Sequence, residues 1–315
     1  MATRRIVFTP SAFRTPIRTP IRTPPRAISR SYSSQLWPPK VQLEYDQHNP
    51  RDANRSRRDS PIIFMHGLFG SKNNNKTVSK DLARILNRHV YTVDLRNHGQ
   101  TGHLPQHTYR AMAGDVLGFI EERKLNNPTL IGHSMGAKVA MTLALSEPDV
   151  VRDIVAVDNA PVDTSLGSSF ARYIEGMRRI EKANVRYRTE ADEILSEYEK
   201  DVAIRQFLLT NLYRPKQPQG FTPVLKFRIP VADLGQALGH MGDFPFKDPS
   251  KARFEKPALF VRGTKSTYVP DEVLPVIGQF FPRFQVVNID AGHWLIHEKP
   301  KEFVDAVTDF LTQDE

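Results

Sequence analysis

Apolar residues along the chain fall into two alternating rhythms. Pro61-Ile-Ile-Phe-Met65 is a short, wholly apolar run, the pattern of a central strand covered on both faces. His89–Asp94, Leu130–Ile131, Val150–Val157, Ala258–Arg262 and Phe284–Ile289 read the same way. Between them the spacing becomes helical: over Val78–Leu86, through Met112, Val116, Phe119 and Ile120, and through Ala137, Val139, Ala140, Leu143 and Ala144. A closing helix follows, with Phe303, Val307, Phe310 and Leu311 as its inner face. Ahead of all these, Val41–Tyr45 alternates and predicts a first strand, and the polar stretch His48–Ser60 predicts a loop. Strands alternating with helices specify an α/β domain, a mostly parallel sheet with helices on both faces.

The alternation stops from about Val162 to Phe246, where long helical patterns, Phe170–Ala183 and Glu190–Leu212, take over. An inserted helical cap is expected there, of the kind that walls off an acyl pocket. The layout is therefore a leader over residues 1–34, a first part of the core over 35–162, the cap over 163–246, and the rest of the core over 247–315.

Composition changes this picture at one end only. The 315 residues carry a formal net charge of +9, which on its face suggests nucleic acid. Seven arginines and Lys40 lie in the first 40 residues, and no acid precedes Glu44; removing those eight from 44 leaves 36 basic against 35 acidic residues. The remainder is nearly neutral, so no nucleic-acid partner is expected. An arginine-rich, Ser/Thr-rich, acid-free start is that of a mitochondrial transit peptide, with Ser29–Ser34 as its processing region. The Thr-Pro-Ile-Arg repeats within it are unusual, because proline interrupts a helix. No apolar run approaches the roughly 18 to 20 residues that span a bilayer, so no integral membrane segment is expected. There is no cysteine, which removes thiolate nucleophiles and Cys-type zinc sites.

The chemistry centres on Gly132-His133-Ser134-Met135-Gly136. A buried strand runs into it and a helix runs out, which is the context in which G-x-S-x-G forms a tight turn presenting its serine at the carboxyl edge of a sheet. Ser134 also sits at a helix start, where the Met135 amide can receive developing negative charge. His66-Gly67-Leu68-Phe69-Gly70-Ser71 follows the central strand, and its Leu68 amide is expected to complete an oxyanion hole with that of Met135. Asp94, Arg96 and His98 in Asp94–Thr101 read as a loop-stabilising hydrogen-bond network.

A serine hydroxyl needs a base, and the base needs an acid to orient it. His293, in Asp290-Ala-Gly-His-Trp294 after the last strand, has the address for the base. His297 and His133 read as structural. The acid usually follows the penultimate strand, at the third position after its glycine, and here that position is Ser266. A hydroxyl cannot hold the charge that stabilises an imidazolium, so the acid must come from elsewhere. Asp158, ending the strand after the serine turn, is the best candidate; Asp271 is second, and Asp290 lies too near its strand end to turn back.

His66-Gly-Leu-Phe-Gly-Ser-Lys-Asn-Asn74, Asp94-Leu-Arg-Asn-His-Gly99, Gly132–Lys138, Val157-Asp-Asn-Ala-Pro161 and Gly292-His293-Trp294 together resemble a mitochondrial α/β-hydrolase-domain family that includes yeast ethanol acetyltransferase and related bacterial esterases. The resemblance runs over about residues 40 to 313 and implies the α/β-hydrolase fold. It also implies an acid on the strand after the serine turn, Asp158 in this chain, with Ser266 as an auxiliary polar group near His293. Ala137 departs from the second glycine common at that position, a change that still permits close packing. The expected function is a serine hydrolase of short-chain carboxylic esters or acyl-CoA thioesters, working through an acyl-enzyme on Ser134. The alternative is an alcohol O-acetyltransferase making ethyl acetate from acetyl-CoA and ethanol; a catalytically idle mitochondrial binding or assembly factor is a lesser one. The expected partners are a small-molecule acyl substrate and, in the transferase reading, an alcohol; no metal or organic cofactor is expected.

Overall fold

A computed structural model describes residues 37–52, 60–164, 168–216 and 223–313. The leader expected over residues 1–34 lies outside the described residues. In chain order the main elements are β1 (Tyr45–His48), β2 (Ile62–Met65), α1 (Lys76–Ile85), β3 (Val90–Val93), α2 (Tyr109–Arg123), β4 (Thr129–His133), α3 (Met135–Ser146) and β5 (Asp153–Val157). Then come α4 (Ser168–Ala183), α5 (Arg188–Ser196), α6 (Val202–Leu209), β6 (Leu212–Tyr213), β7 (Lys226–Phe227) and α7 (Val231–Gly242). The chain closes with β8 (Ala258–Gly263), α8 (Leu274–Phe280), β9 (Phe284–Ile289), α9 (Leu295–Glu298) and α10 (Pro300–Thr312).

Seven strands form one sheet in the order β1-β3-β2-β4-β5-β8-β9, parallel except for β1, which runs antiparallel along β3. Strand alternation divides the apolar residues between two layers. Ile62 and Phe64 of β2 join Ile131, Val155, Val157, Leu259 and Val261 beneath α1 and α10. Ile63 and Met65 face the other way, into the core built with α2, α3, α8 and the cap. Each such side chain withdrawn from water contributes about 1.5–3 kcal/mol, which is what holds helices on both faces.

The order reverses at β2, because the chain winds outward to β3 and then crosses to β4 on the other side. A crevice opens at such a switch point, at the carboxyl ends of the strands. Register places Met65 beside Gly132, and His133 beside Val157. The loop after β2, the turn after β4 and the end of β5 therefore meet at one edge.

Two elements differ from the sequence expectation. The first strand begins at Tyr45 rather than spanning Val41–Tyr45. The Val41 amide donates to Asp115 Oδ1 (2.8 Å) and that of Glu44 to Thr101 Oγ1 (2.9 Å), so side chains take the donors a strand would use. The long helix expected over Glu190–Leu212 is two. Asp201 caps the second, its Oδ1 accepting the amides of Ala203 (2.7 Å) and Ile204 (3.3 Å). The region between β5 and β8 also holds a small β6–β7 ribbon that helical periodicity does not signal. Among the described residues, no helix is long and apolar enough to cross a membrane.

Candidate active site

β4 ends at His133 and α3 begins at Met135, so Ser134 alone makes the turn between them. Its backbone stands at φ 54°, ψ −113°, a conformation a non-glycine residue holds only when its surroundings impose it. They do: a Cβ on Gly132 would lie 2.1 Å from the carbonyl oxygen of Gly136, so strand and helix touch where only hydrogen fits. The Ser134 amide donates to Val157 O (2.8 Å), and its carbonyl accepts from Asn159 Nδ2 (3.2 Å) and Ala137 N (3.0 Å). Because the peptide is trans, a carbonyl tied on that side leaves the Met135 amide pointing the opposite way, out of the helix start.

One residue beyond β5, Asp158 is also left-handed (φ 50°) and fully buried. Its carboxylate is saturated: Oδ1 accepts from Gly263 N (3.1 Å), and Oδ2 accepts from Ser266 Oγ (2.5 Å) and His293 Nδ1 (2.6 Å). A carboxylate against Nδ1 keeps the imidazole proton there and frees Nε2 to accept. Nε2 lies 3.0 Å from Ser134 Oγ.

His293 is clamped from several directions. The Tyr268 ring stacks on it at 4.0 Å between centroids, 18° from parallel. His133 Nε2 donates to its carbonyl oxygen (2.8 Å). Burial, followed by the neighbouring His293, pushes the His133 pKa down to about 3, so His133 stays neutral. On the preceding residue, the Gly292 amide donates to Glu298 Oε2 (3.0 Å).

The loop after β2 crosses directly over the serine, since a methyl on Gly67 would come within 3.3 Å of Ser134 Cβ. The Gly67 carbonyl accepts from His66 Nδ1 (2.8 Å) and Gly70 N (3.0 Å), which directs the Leu68 amide away from both. Two neutral histidines shape this loop. His66 Nε2 accepts from Leu95 N (3.0 Å), and His98 Nε2 accepts from Phe69 N (3.0 Å) while its Nδ1 donates to Arg96 O (3.0 Å). Desolvation lowers the pKa of both, and His98 falls well below the ordinary range. From the cap, Asn211 Nδ2 donates to Phe69 O (2.8 Å).

The Asp94–Thr101 segment is the expected network. Asp94 accepts from Lys72 Nζ (2.9 Å), Lys72 N (2.7 Å) and Gln100 N (2.9 Å). Arg96 forms a fully buried pair with Asp115 (2.6 Å) and also donates to carbonyls of Pro39, Gln106 and Ala111.

Ser134, Asp158 and His293 thus converge, with Leu68 and Met135 beside the serine. Ser266 touches the acid rather than the histidine. The two carboxylates weighed against Asp158 lie elsewhere: Asp271 pairs with Arg262 (2.6 Å) and is largely exposed, and Asp290 pairs with Lys265 (3.0 Å). Sequence reasoning missed Tyr268, two residues past Ser266, although its place in the same loop after β8 was a usable signal. It also missed Lys138, buried one helical turn past the serine, whose Nζ donates to the carbonyls of Gly242 (2.9 Å) and Asp243 (3.0 Å) and ties α3 to the end of α7. Nothing in local spacing points to a partner about a hundred residues away.

A cleft of about 470 Å³ opens beside the histidine. Ala203, Ile204 and Phe207 of α6 form one wall, Trp294 and His297 the other. The Trp294 ring lies 5.9 Å from that of His293 and 4.6 Å from that of Phe207.

A serine on a strained strand-to-helix turn, within reach of a carboxylate-backed imidazole, at the switch point of a mostly parallel sheet, defines a hydrolase or acyltransferase type of enzyme. Residues 60–300 match the model of the alpha/beta hydrolase fold family, and the chain belongs to that family. It is 42% identical over 267 residues to a probable alcohol acetyltransferase of Saccharomyces cerevisiae, covering 81% of this chain and 78% of that one. It is 40% identical over 255 residues to the sn-1-specific diacylglycerol lipase ABHD11 of Mus musculus, covering 79% and 80%. Among solved structures, a marine microorganism esterase superposes with a TM-score of 0.77 at 29% identity, covering 86% of this chain and all of that one.

Proposed function

We propose that the protein is a serine hydrolase acting on short-chain carboxylic esters or acyl-CoA thioesters through an acyl-enzyme on Ser134. The observation that carries this reading is the continuous hydrogen-bonded line from Ser134 Oγ through His293 to Asp158, 3.0 Å and then 2.6 Å. Ser134 Oγ attacks the carbonyl carbon as His293 Nε2 takes its proton. The imidazolium is stabilised by Asp158, whose charge Ser266 and the Gly263 amide hold in place. Negative charge on the substrate oxygen is received by the amides of Leu68 and Met135, each worth roughly 3 kcal/mol in the transition state. His293 then returns the proton to the leaving group, and water activated by the same base releases the acid.

The test is labelling by a fluorophosphonate probe. One equivalent bound covalently to the wild type, and none to a folded Ser134→Ala variant, is the expected result; no labelling of the wild type refutes the reading.

The S. cerevisiae relative supports a second reading, in which an alcohol rather than water resolves the acyl-enzyme. Supplied with acetyl-CoA and ethanol, a transferase yields ethyl acetate and a hydrolase yields acetate alone. We also propose delivery to mitochondria by the arginine-rich leader. A fluorescent fusion of residues 1–40 that stays diffuse in the cytosol counts against it.

A further inference from the structure

The cleft beside His293 has a charge as well as a shape. Ile204 and Phe207 on one wall and Trp294 on the other give it an apolar lining, which reaches the base that faces Ser134 through the Trp294–His293 ring contact (5.9 Å between centroids). Two carboxylates, Asp201 and Glu298, stand along it. Both are held in place: Asp201 by the first amides of α6 (2.7 and 3.3 Å), Glu298 by the Gly292 amide (3.0 Å).

Among the described residues lining the cleft there is no lysine or arginine. Three cations that neighbour the lining in sequence are turned to other partners: Lys200 Nζ donates to Ser196 O (2.7 Å), Arg205 is turned to Asp192 (2.9 Å) and to the carbonyls of Glu199 and Lys200, and Lys299 pairs with Glu302 (3.3 Å). Desolvation lowers the pKa of His297, the third titratable group on the lining, and so favours its neutral form. The cleft is therefore an apolar trough with a net negative edge.

Acyl donors of the same acyl group differ sharply in what such an edge does to them. An uncharged ester or thioester loses nothing to it. A nucleotide-borne thioester brings phosphates toward two fixed carboxylates, and like charges placed together are rejected rather than bound.

We propose that this cleft binds the apolar portion of an uncharged ester, and that Asp201 and Glu298 select against anionic acyl carriers there. The inference rests on the acyl-enzyme reading and narrows its substrate class to neutral donors.

The test separates binding from turnover. The sequence holds two tryptophans, so in a full-length Ser134→Ala/Trp37→Phe variant only Trp294 reports by fluorescence. This variant is titrated with S-hexanoyl-N-acetylcysteamine and with hexanoyl-CoA, which share the acyl group and the thioester and differ in the nucleotide. The neutral thioester is expected to shift Trp294 emission with a dissociation constant at least about tenfold lower. That gap should narrow at least about threefold in 0.5 M NaCl, where surface charge is screened, and likewise when Asp201→Asn and Glu298→Gln are added. Both substitutions keep an acceptor for the amides the carboxylates now hold. Ala203→Phe, which fills the trough, should weaken the neutral ligand. Equal affinities, a gap untouched by the Asn/Gln pair, or no response at Trp294 to either ligand overturns the proposal. Failure of fluorophosphonate labelling would instead overturn the acyl-enzyme reading, whatever the titrations show.

Discussion

Replacing Asp158 by asparagine removes one charge and changes almost no volume, which makes it the sharpest probe of the site. In acylation, His293 becomes a cation with its Nδ1 2.6 Å from Asp158 Oδ2. At an effective dielectric constant of about 20, opposite charges at that distance attract by about 6 kcal/mol. The uncharged imidazole of the resting state gains none of this, so nearly all of it lowers the barrier, equivalent to about 10⁴-fold in rate. Asparagine also presents an N–H where Nδ1 needs an acceptor. That favours the tautomer with its proton on Nε2, which cannot accept from Ser134. Hydrolysis of p-nitrophenyl acetate should therefore lose about 10³- to 10⁴-fold in kcat for Asp158→Asn, with KM within about threefold. Asp271→Asn, an exposed side chain paired with Arg262, should stay within about twofold of wild type. The reasoning fails if Asp158→Asn keeps more than about a tenth of wild-type kcat, or if Asp271→Asn loses as much as Asp158→Asn.

Three further outcomes are expected. Because Ser266 Oγ lies 2.5 Å from Asp158 Oδ2, a carboxylate grown from the neighbouring loop reaches the same spot. The exchange Asp158→Ser/Ser266→Asp should recover about 10- to 100-fold of the kcat lost in Asp158→Ser alone, and no recovery would show that loop to be misdirected. Gly132→Ala drives a methyl into the Gly136 carbonyl and should cost more than about 4 kcal/mol, read as a collapsed urea midpoint or insoluble protein. Five buried histidines, His48, His66, His98, His107 and His133, have folded pKa values below the ordinary 6.5, with His107 and His133 near 3. The unfolded chain thus binds more protons below pH 6.5, and the stability these residues contribute is complete above that pH and is lost as pH falls toward 3. The urea midpoint should drop already between pH 6.5 and 5, and His107→Leu should flatten that slope; a midpoint constant over this range would contradict the burial argument.

Much of the architecture was readable because it depends on neighbours along the chain. Whether Ile62–Met65 is a strand, or Ala137–Ala144 a helix, follows from side-chain periodicity, and Gly132-His133-Ser134-Met135-Gly136 announces its own turn. The misjudged ends, at Val41 and at Asp201, are places where a side chain from elsewhere or a cap took over backbone donors. The acid is less direct in the sequence, since Ser266 occupies the usual seat, and elimination together with a family resemblance points to Asp158. The structure adds that the two seats converge on one oxygen.

Local spacing is enough to establish the serine turn, the strand–helix alternation and the poverty of acids before Glu44, since each is a property of consecutive residues. It does not bring Ser134 to a base 159 positions later, or that base to an acid 135 positions before it. Sheet order does that, by setting β4, β5, β8 and β9 side by side so that their carboxyl ends share one edge. The stacking of Tyr268 on His293, the hold of His98 on the Phe69 amide and the acidic edge of the cleft belong to the same class. Contacts between distant segments exist only after the chain has closed on itself, because only then are their positions fixed relative to one another.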